Sequence, residues 1–485
     1  MTETTEQNEL PSADKDCFAS DLDETSLSYM LRLSGPMIVT NISFTIMQFV
    51  DRLMVSRVSE EALAAVLPAG IMSFVPASFL MGIMISVNTF VSQSLGRGEK
   101  DECSKYCWQA IYMGLIYFAI ILAVMWPSAP RIFELMGSVP EVARMEVVYL
   151  RIMLYAQMVC VFFWASSQFF MGIHRPIINM YAAIVGQSVN VAANYVLIFG
   201  KLGFPEMGIS GAGWGTFIGV SVGASLRMGI FLSGDIRKTF NTTKTMGIDK
   251  AKIADLLKVG VPAGISFMVN VAFWAVILVV LVARFGTEAQ AATTAVFACI
   301  NVSVMPVVGI GSALTAAVGK SIGKGRKDII SKQTHVCLKV SLVYMGLIGL
   351  CFFLFRDGIM NFWATDGNVK VIDAGVKILV CAAIFQVFDA AGIIYNGALR
   401  GAGDTVWLAM ISGLRAVIVL GMGGMLIVWL WPELGVLGPW IAATLSIVVT
   451  GIVNYWRFKS NKWMEIDLFK RRAVGPPVEV PSVVE

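Results

Sequence analysis

Charge is scarce in this chain. Of its 485 residues only 14% are Asp, Glu, Lys or Arg, against ~25% in soluble domains. The two signs nearly cancel, 37 basic against 33 acidic, leaving a net charge of +4. So few basic residues argue against a nucleic-acid surface, which needs a dense array of Lys and Arg to neutralise phosphates. Eight cysteines in so long a chain argue against a disulfide-stapled secreted domain. The alternation of apolar and polar residues that builds an outer-membrane barrel is missing. What is abundant is apolar: 56% of residues are hydrophobic. That excludes a disordered chain and leaves an integral membrane protein with many spans.

A helix needs ~20 apolar residues to cross the hydrocarbon core. Twelve such runs centre near Ile42, Phe74, Ile116, Met158, Val189, Val220, Val271, Ser303, Tyr344, Ile384, Ile418 and Val448. The runs Ile300–Val318 and Val185–Phe199 are studded with Gly, Asn, Ser and Thr, so they belong in the interior of a bundle. Lys and Arg are concentrated in the loops on one side, for example Arg97, Lys100 and Lys105, then Lys320, Lys324, Arg326 and Lys327. The tail cluster Arg457, Lys459, Lys462, Lys470, Arg471 and Arg472 falls on that same side. The positive-inside rule therefore makes both termini cytoplasmic in a multi-pass cell (inner or plasma) membrane protein. The first 28 residues are polar and acidic with no basic n-region, unlike a signal peptide. The tail around Gly475, Pro476 and Pro477 reads as loose.

The chain is internally duplicated at an offset of 226 to 229 residues. Val91-Ser-Gln-Ser-Leu-Gly-Arg-Gly-Glu-Lys-Asp101 lies over Val318-Gly-Lys-Ser-Ile-Gly-Lys-Gly-Arg-Lys-Asp328. Gly208-Ile-Ser-Gly211 lies over Gly435-Val-Leu-Gly438, and Gly172 over Gly401. Six spans per half is even, so the halves are parallel and related by a pseudo-twofold axis along the membrane normal, enclosing a cavity between two bundles that rock. The expected fold is all-α: a polar N-tail (1–28), a six-helix bundle (29–234), a linker (235–255), a second bundle (256–458) and a C-tail (459–485). Pro36 and Pro262 occupy equivalent positions and read as tolerated first-turn prolines.

Three stretches carry a family likeness. They are Phe49-Val-Asp51-Arg-Leu-Met-Val55, Gln93-Ser-Leu-Gly96-Arg-Gly98, and Asn396-Gly-Ala-Leu-Arg400-Gly401-Ala-Gly403-Asp404-Thr405. With the span count and the parallel repeat, the chain resembles the multidrug and toxic compound extrusion (MATE) transporters from about Met30 to Phe458. The resemblance implies secondary active efflux: H+ or Na+ enters and drives organic compounds, often cationic and amphipathic, outward.

A carboxylate inside a span costs ~2.5–3.5 kcal/mol on the insertion scale and therefore needs a purpose or a partner. Asp51 ends the first span, at the position of the family's cation-coupling aspartate. A buried carboxyl can carry a proton near neutral pH, whereas a bound cation selects the ionised form. The alternative is an interfacial Asp paired with Arg52 or Arg57. Asn190 and Asn194 share a face of span five. Together with Gln168 in span four, a position the family places at the same pocket, they would complete a polar site around Asp51. Na+ is a candidate ligand of Asp51, Asn190 and Asn194. Asp389 in span ten matches the second-bundle aspartate of one family branch, although its usual partners are replaced by Asn270 and Phe385. Arg415 in span eleven is a candidate ion-pair partner that would make Asp389 structural. Substrate-contacting residues are not identifiable.

Other chemistries find little support. Val318-Gly-Lys-Ser321 lacks the glycine that a phosphate loop needs at position 314, which is Leu, so no nucleotide partner is expected. His174 and His335 stand alone in loops, and no metal site or cofactor is expected beyond the coupling ion. A flippase for lipid-linked or polysaccharide substrates would want Arg and Lys deep in the spans. A membrane-embedded enzyme would want a cluster of carboxylates or histidines. The partners expected are small organic substrates and the lipid bilayer, and the chain is expected to act as a monomer.

Overall fold

The computed structural model describes residues 22–275, 281–363 and 368–469. Among them are twelve helices long and apolar enough to cross a membrane. The first six spans are α1 (Leu27–Val55), α2 (Glu60–Gly96), α3 (Lys100–Leu135), α4 (Pro140–Gly172), α5 (Pro176–Ile198) and α6 (Ile209–Phe231). A short α7 (Gly234–Phe240) leads to α8 (Lys250–Ala275) and α9 (Thr287–Gly323). Then come α10 (Ile330–Leu354), the short α11 (Arg356–Trp363) and α12 (Val369–Ala402). The eleventh span is broken into α13 (Thr405–Leu414), a π-helical stretch Arg415–Gly424 and α14 (Met425–Leu430); α15 (Leu437–Lys459) is the last. Each expected span centre falls within one of these helices. Val271 lies off-centre because α8 begins earlier than its polar first turns suggest. Lys252 is buried against Glu102 of α3 in an ion pair, which draws those turns into the fold. Pro36 and Pro262 are not first-turn prolines. They lie inside α1 and α8, where each removes a backbone donor and favours a bend.

Helix ends are set by local chemistry. Ser26 and Ser59 cap α1 and α2 by accepting from the backbone N–H of Tyr29 and Ala62. The duplication is visible in the backbone. Gly98 and Gly325 turn at φ 78° and 75°, and Gly208 and Gly435 at 52° and 53°. Gly403 takes φ 87°, and its counterpart in the first half is His174 at 60°, a non-glycine held in the left-handed region.

Contacts between Glu24 and Lys320, and between Lys327 and the carbonyl of Met464, bring both ends of the described chain to one face, here the near face. The opposite face is the far face. The two halves meet through α1 against α9 and α2 against α8, with α2 and α9 crossing at the centre. A methyl on Gly96 would strike Lys320 O, and one on Gly323 would strike Gln93 O. These contacts are the same contact generated twice, which places the pseudo-twofold axis between Gly96 and Gly323. The Gly82–Gly264 approach has its mate in Gly309 against Ile38.

The seal is confined to one side. Asn88 donates to Ser312 O, Thr89 to Arg400 O and Gln93 to Gly401 O, all toward the near face. The deepest inter-half bond among the described residues is Asn41 to Met305 O at 3.1 Å, midway along α1. Beyond that level Phe74 and Val75 of α2 are exposed, whereas Phe90 and Val91 are fully buried. The halves therefore part toward the far face. The segment Ser233–Asp249 is clamped under α3: Trp108 donates to Thr242 O and Gln109 to Gly247 O. Residues 1–21 and 470–485, with the basic run Lys470, Arg471 and Arg472 and the Gly-Pro-Pro tail, lie outside the described residues.

Candidate functional site

The polar group around Asp51 forms where α1, α5 and α6 approach one another near the far face. Four glycines at four-residue spacing, Gly211, Gly215, Gly219 and Gly223, make one face of α6 backbone-thin. A methyl on Gly215 would overlap the Asn194 amide, and one on Gly219 would meet Asn190. The stripe therefore makes room for both amides inside the bundle. Asn194 is fully buried and its Nδ2 donates to Asp51 Oδ1 at 2.7 Å. The same Nδ2 reaches Asn190 Oδ1 at 3.4 Å, and Asn190 Nδ2 reaches Thr216 Oγ1 at 3.4 Å. Asp51 is thus tied to the amide of another helix; Arg52 and Arg57 are exposed and bridge to no acid among the described residues.

Asn194 Oδ1 is buried without a protein hydrogen-bond partner. A buried carbonyl oxygen left so is costly, about 1–3 kcal/mol. Asn194 Oδ1 faces the Gly215 backbone of α6, whereas its Nδ2 faces the Asp51 carboxylate and Asn190 Oδ1, so one amide donor is shared between two oxygen acceptors.

Gln168 is not part of this group. Asn179 donates to Ser167 O, so Gln168 is level with the near-face start of α5. Asn190 is eleven residues farther along α5, about 16 Å at ~1.5 Å per residue. A position matched by motif along a long helix does not fix depth, and no hydrogen bond joins Gln168 to the other three among the described residues.

Other residues at the site were not singled out from the sequence. Tyr149 of α4 lies within electrostatic range of Asp51. Glu146, one turn away, is 1% exposed, and its Oε2 has no protein partner. Thr216 bridges Asn190 to the α6 backbone at Ala212 O. Aromatic and hydroxyl residues are common in spans, and Glu146 sits between Arg144 and Arg151 near the start of α4, so none of the three stands out in the sequence.

In the second half Asp389 is half-buried on α12, and it shares an electrostatic interaction with Arg415. No direct ion pair closes between them among the described residues. Arg415 donates to Thr450 Oγ1 at 3.1 Å instead. The guanidinium is at the start of the π-helical stretch, whose wider turns displace it from an ideal helical position. Asn270 is exposed and Phe385 fully buried. The expected Asp389–Arg415 pair is thus a long-range neighbour relation. Neither histidine stands alone, although His174 does lie in the turn between α4 and α5. His335 sits on α10. His174 is fully buried, contacting the Tyr29 hydroxyl at 2.9 Å through Nδ1 and Ala316 O at 3.0 Å through Nε2. It joins the two halves at the near-face seal.

A family model described as MatE matches residues 36–196 and 262–424, once in each half. The chain belongs to that family. Among curated relatives, a probable multidrug resistance protein NorM of Mesorhizobium japonicum is 28% identical over 442 residues, 88% of this chain and 92% of the relative. The Thermotoga maritima counterpart is 24% identical over 451 residues, 92% and 95% of the two chains. A MOP superfamily transporter from Pyrococcus furiosus superposes with a TM-score of 0.82 at 20% identity, covering 92% of this chain and 98% of that one. An outward-facing MATE family transporter structure gives 0.80 at 18% identity, with 92% and 98% coverage. The MATE fold, with its twelve spans, is therefore shared along nearly the whole chain, and the protein is a multi-pass membrane transporter.

Proposed function

We propose that this chain is a multidrug exporter that couples the inward passage of H+ or Na+ to the outward passage of organic, often cationic and amphipathic compounds. The near face is cytoplasmic by the distribution of Lys and Arg, and the membrane is the cell (inner or plasma) membrane. The described conformation is then the outward-open one. The observation that carries the reading is Asp51: an acid held by Asn194 inside the bundle near the open face, over a sealed near face. Ion and substrate act by stabilising different arrangements of the two halves. One charge crossing ~100 mV supplies about 2.3 kcal/mol. The chain acts as a monomer and as a carrier rather than an enzyme.

The test uses inverted vesicles loaded with the native chain and a cationic fluorescent dye, with a pH gradient and a Na+ gradient imposed separately. Dye accumulation driven by one gradient and collapsed by its dissipation is expected. Dye movement indifferent to both gradients would refute coupling.

A further inference from the structure

The interior of the second half holds polar groups that its packing does not satisfy. On α12, Asp389, Asn396 and Arg400 are seven and four residues apart, so they share one face within about 20°. That face turns away from the flank marked by Ile384 and Val387, which are exposed. Gln386 borders it and is fully buried. On α15, Ser446, Thr450 and Asn454 form a second such stripe, linked to the first by the Arg415 bond to Thr450 and by the Asp389–Arg415 interaction. The carbonyl oxygens of the Gln386, Asn396 and Asn454 side chains and the Ser446 hydroxyl are all buried without a protein partner. Arg400 makes no side-chain hydrogen bond or ion pair among the described residues. Asp389 and Arg400 are half-buried.

Several such atoms in one low-dielectric interior would each cost about 1–3 kcal/mol if dry. Polar groups in a membrane interior are satisfied by protein or by water lining a cavity. We propose that these stripes line a file of water molecules that connects Asp389 with the near-face solvent while the cleft between the halves is open to the far face. The file descends from Ser446 and Asp389, past Asn396 and Asn454, to Arg400 in the last turn of α12. The first half differs at the matching positions, although Asn179 Oδ1 and Arg227 Nε and Nη1 are also buried there without a partner among the described residues. The counterpart of Asn454 there is Arg227, which is fully buried, lies 3.8 Å over the Phe163 ring and donates to Asn179 O. The backbones of α5 and α6 approach closely at Gly186 and Gly219, as those of α12 and α15 do at Phe388 and Gly451. With Asp51 near the far face, the two acids face opposite solvents in one and the same conformation. This inference concerns solvent access and stands apart from the coupling reading.

The experiment places single cysteines in the full chain after replacement of its eight native ones. The positions are Ser446→Cys, Asn396→Cys and Asn454→Cys, with Ile394→Cys as a buried apolar control. Ag+, an ion of about water size, is applied to either face of sealed vesicles, and thiols left unreacted are then counted by alkylation in denaturant. Three positions guard against one variant misfolding. Ag+ at the near face should abolish later alkylation at the three file positions and spare Ile394→Cys. Protection no faster than at Ile394→Cys, or equally fast from the far face, would overturn the file. No transport is needed for the readout, so failure of the efflux reading and failure of this one are distinguishable.

Discussion

The two halves began as copies and now hold their acids differently. In the first, Asp51 is bonded to Asn194 at 2.7 Å, and α6 supplies glycine at each of four repeat positions, 211, 215, 219 and 223. In the second, the corresponding residues of α15 are Gly438, Ala442, Ser446 and Thr450. Each added side chain atom pushes the facing helix away. Gly438 finds only side chains of α14 at 3.5 Å and beyond, whereas Gly211 lies against the α5 backbone. The facing helix of the second half is the one broken by the π-helical stretch. The comparison teaches that backbone-thin packing can hold an acid in a fixed hydrogen bond, whereas a thicker stripe leaves its acid beside a hydrated, looser wall.

The acids themselves carry the largest expected effect. Asp51→Asn should reduce gradient-driven dye efflux to the level of empty vesicles, with the chain still inserted and folded. Asp389→Asn should leave a measurable fraction of efflux, because Asp389 makes no direct hydrogen bond or ion pair among the described residues. Equal loss in the two variants, measured in the same vesicle preparation, would make the halves functionally equivalent and end the distinction.

How far this difference could be read in advance depends on the kind of signal. Asp51, Asn190 and Asn194 were legible because helical spacing and distance from the span end both survive in a sequence. Gln168 was misplaced because a motif match on a 33-residue helix says little about depth. Arg227 and Glu146 were passed over because single charges within two turns of a span end look like loop charges. The π-helical stretch has no periodic signature at all. His174 looked idle because its partners, Tyr29 and Ala316, are 145 and 142 residues away. Long-range contacts of this sort depend on how the halves dock, which no local pattern records.

A smaller effect separates the stripes. Gly219→Ala would drive a methyl into Asn190 and the backbone carbonyl of Gly186. Overpacking of this kind costs about 1–3 kcal/mol, and the melting temperature in detergent should fall accordingly. Ser446→Ala at the matching position removes a buried hydroxyl that has no protein partner, so its effect should stay within about 0.5 kcal/mol. A large loss on Ser446→Ala would mean that the hydroxyl has a tighter bond than a mobile water provides.

The least expected effect lies at the near-face turns, where His174 and Gly403 occupy one repeat position with the same left-handed backbone. Gly403→Ala adds a side chain at φ 87° against Leu468. The left-handed region costs a non-glycine about 1–2 kcal/mol, and nothing is gained in return. His174 already bears that strain, and its two hydrogen bonds across the seal offset it. His174→Gly removes strain and bonds together, so its melting temperature should move less than that of Gly403→Ala, although the seal is weakened. Cysteine accessibility at Asn88, just inside the seal, separates the two contributions: it should rise from the near face in His174→Gly and stay unchanged in Gly403→Ala. If both variants melt alike and neither opens the seal, the histidine is a passive filler of its turn, and the near-face closure rests on the glycine contacts of α2 and α9 with the bonds of Asn88, Thr89 and Gln93.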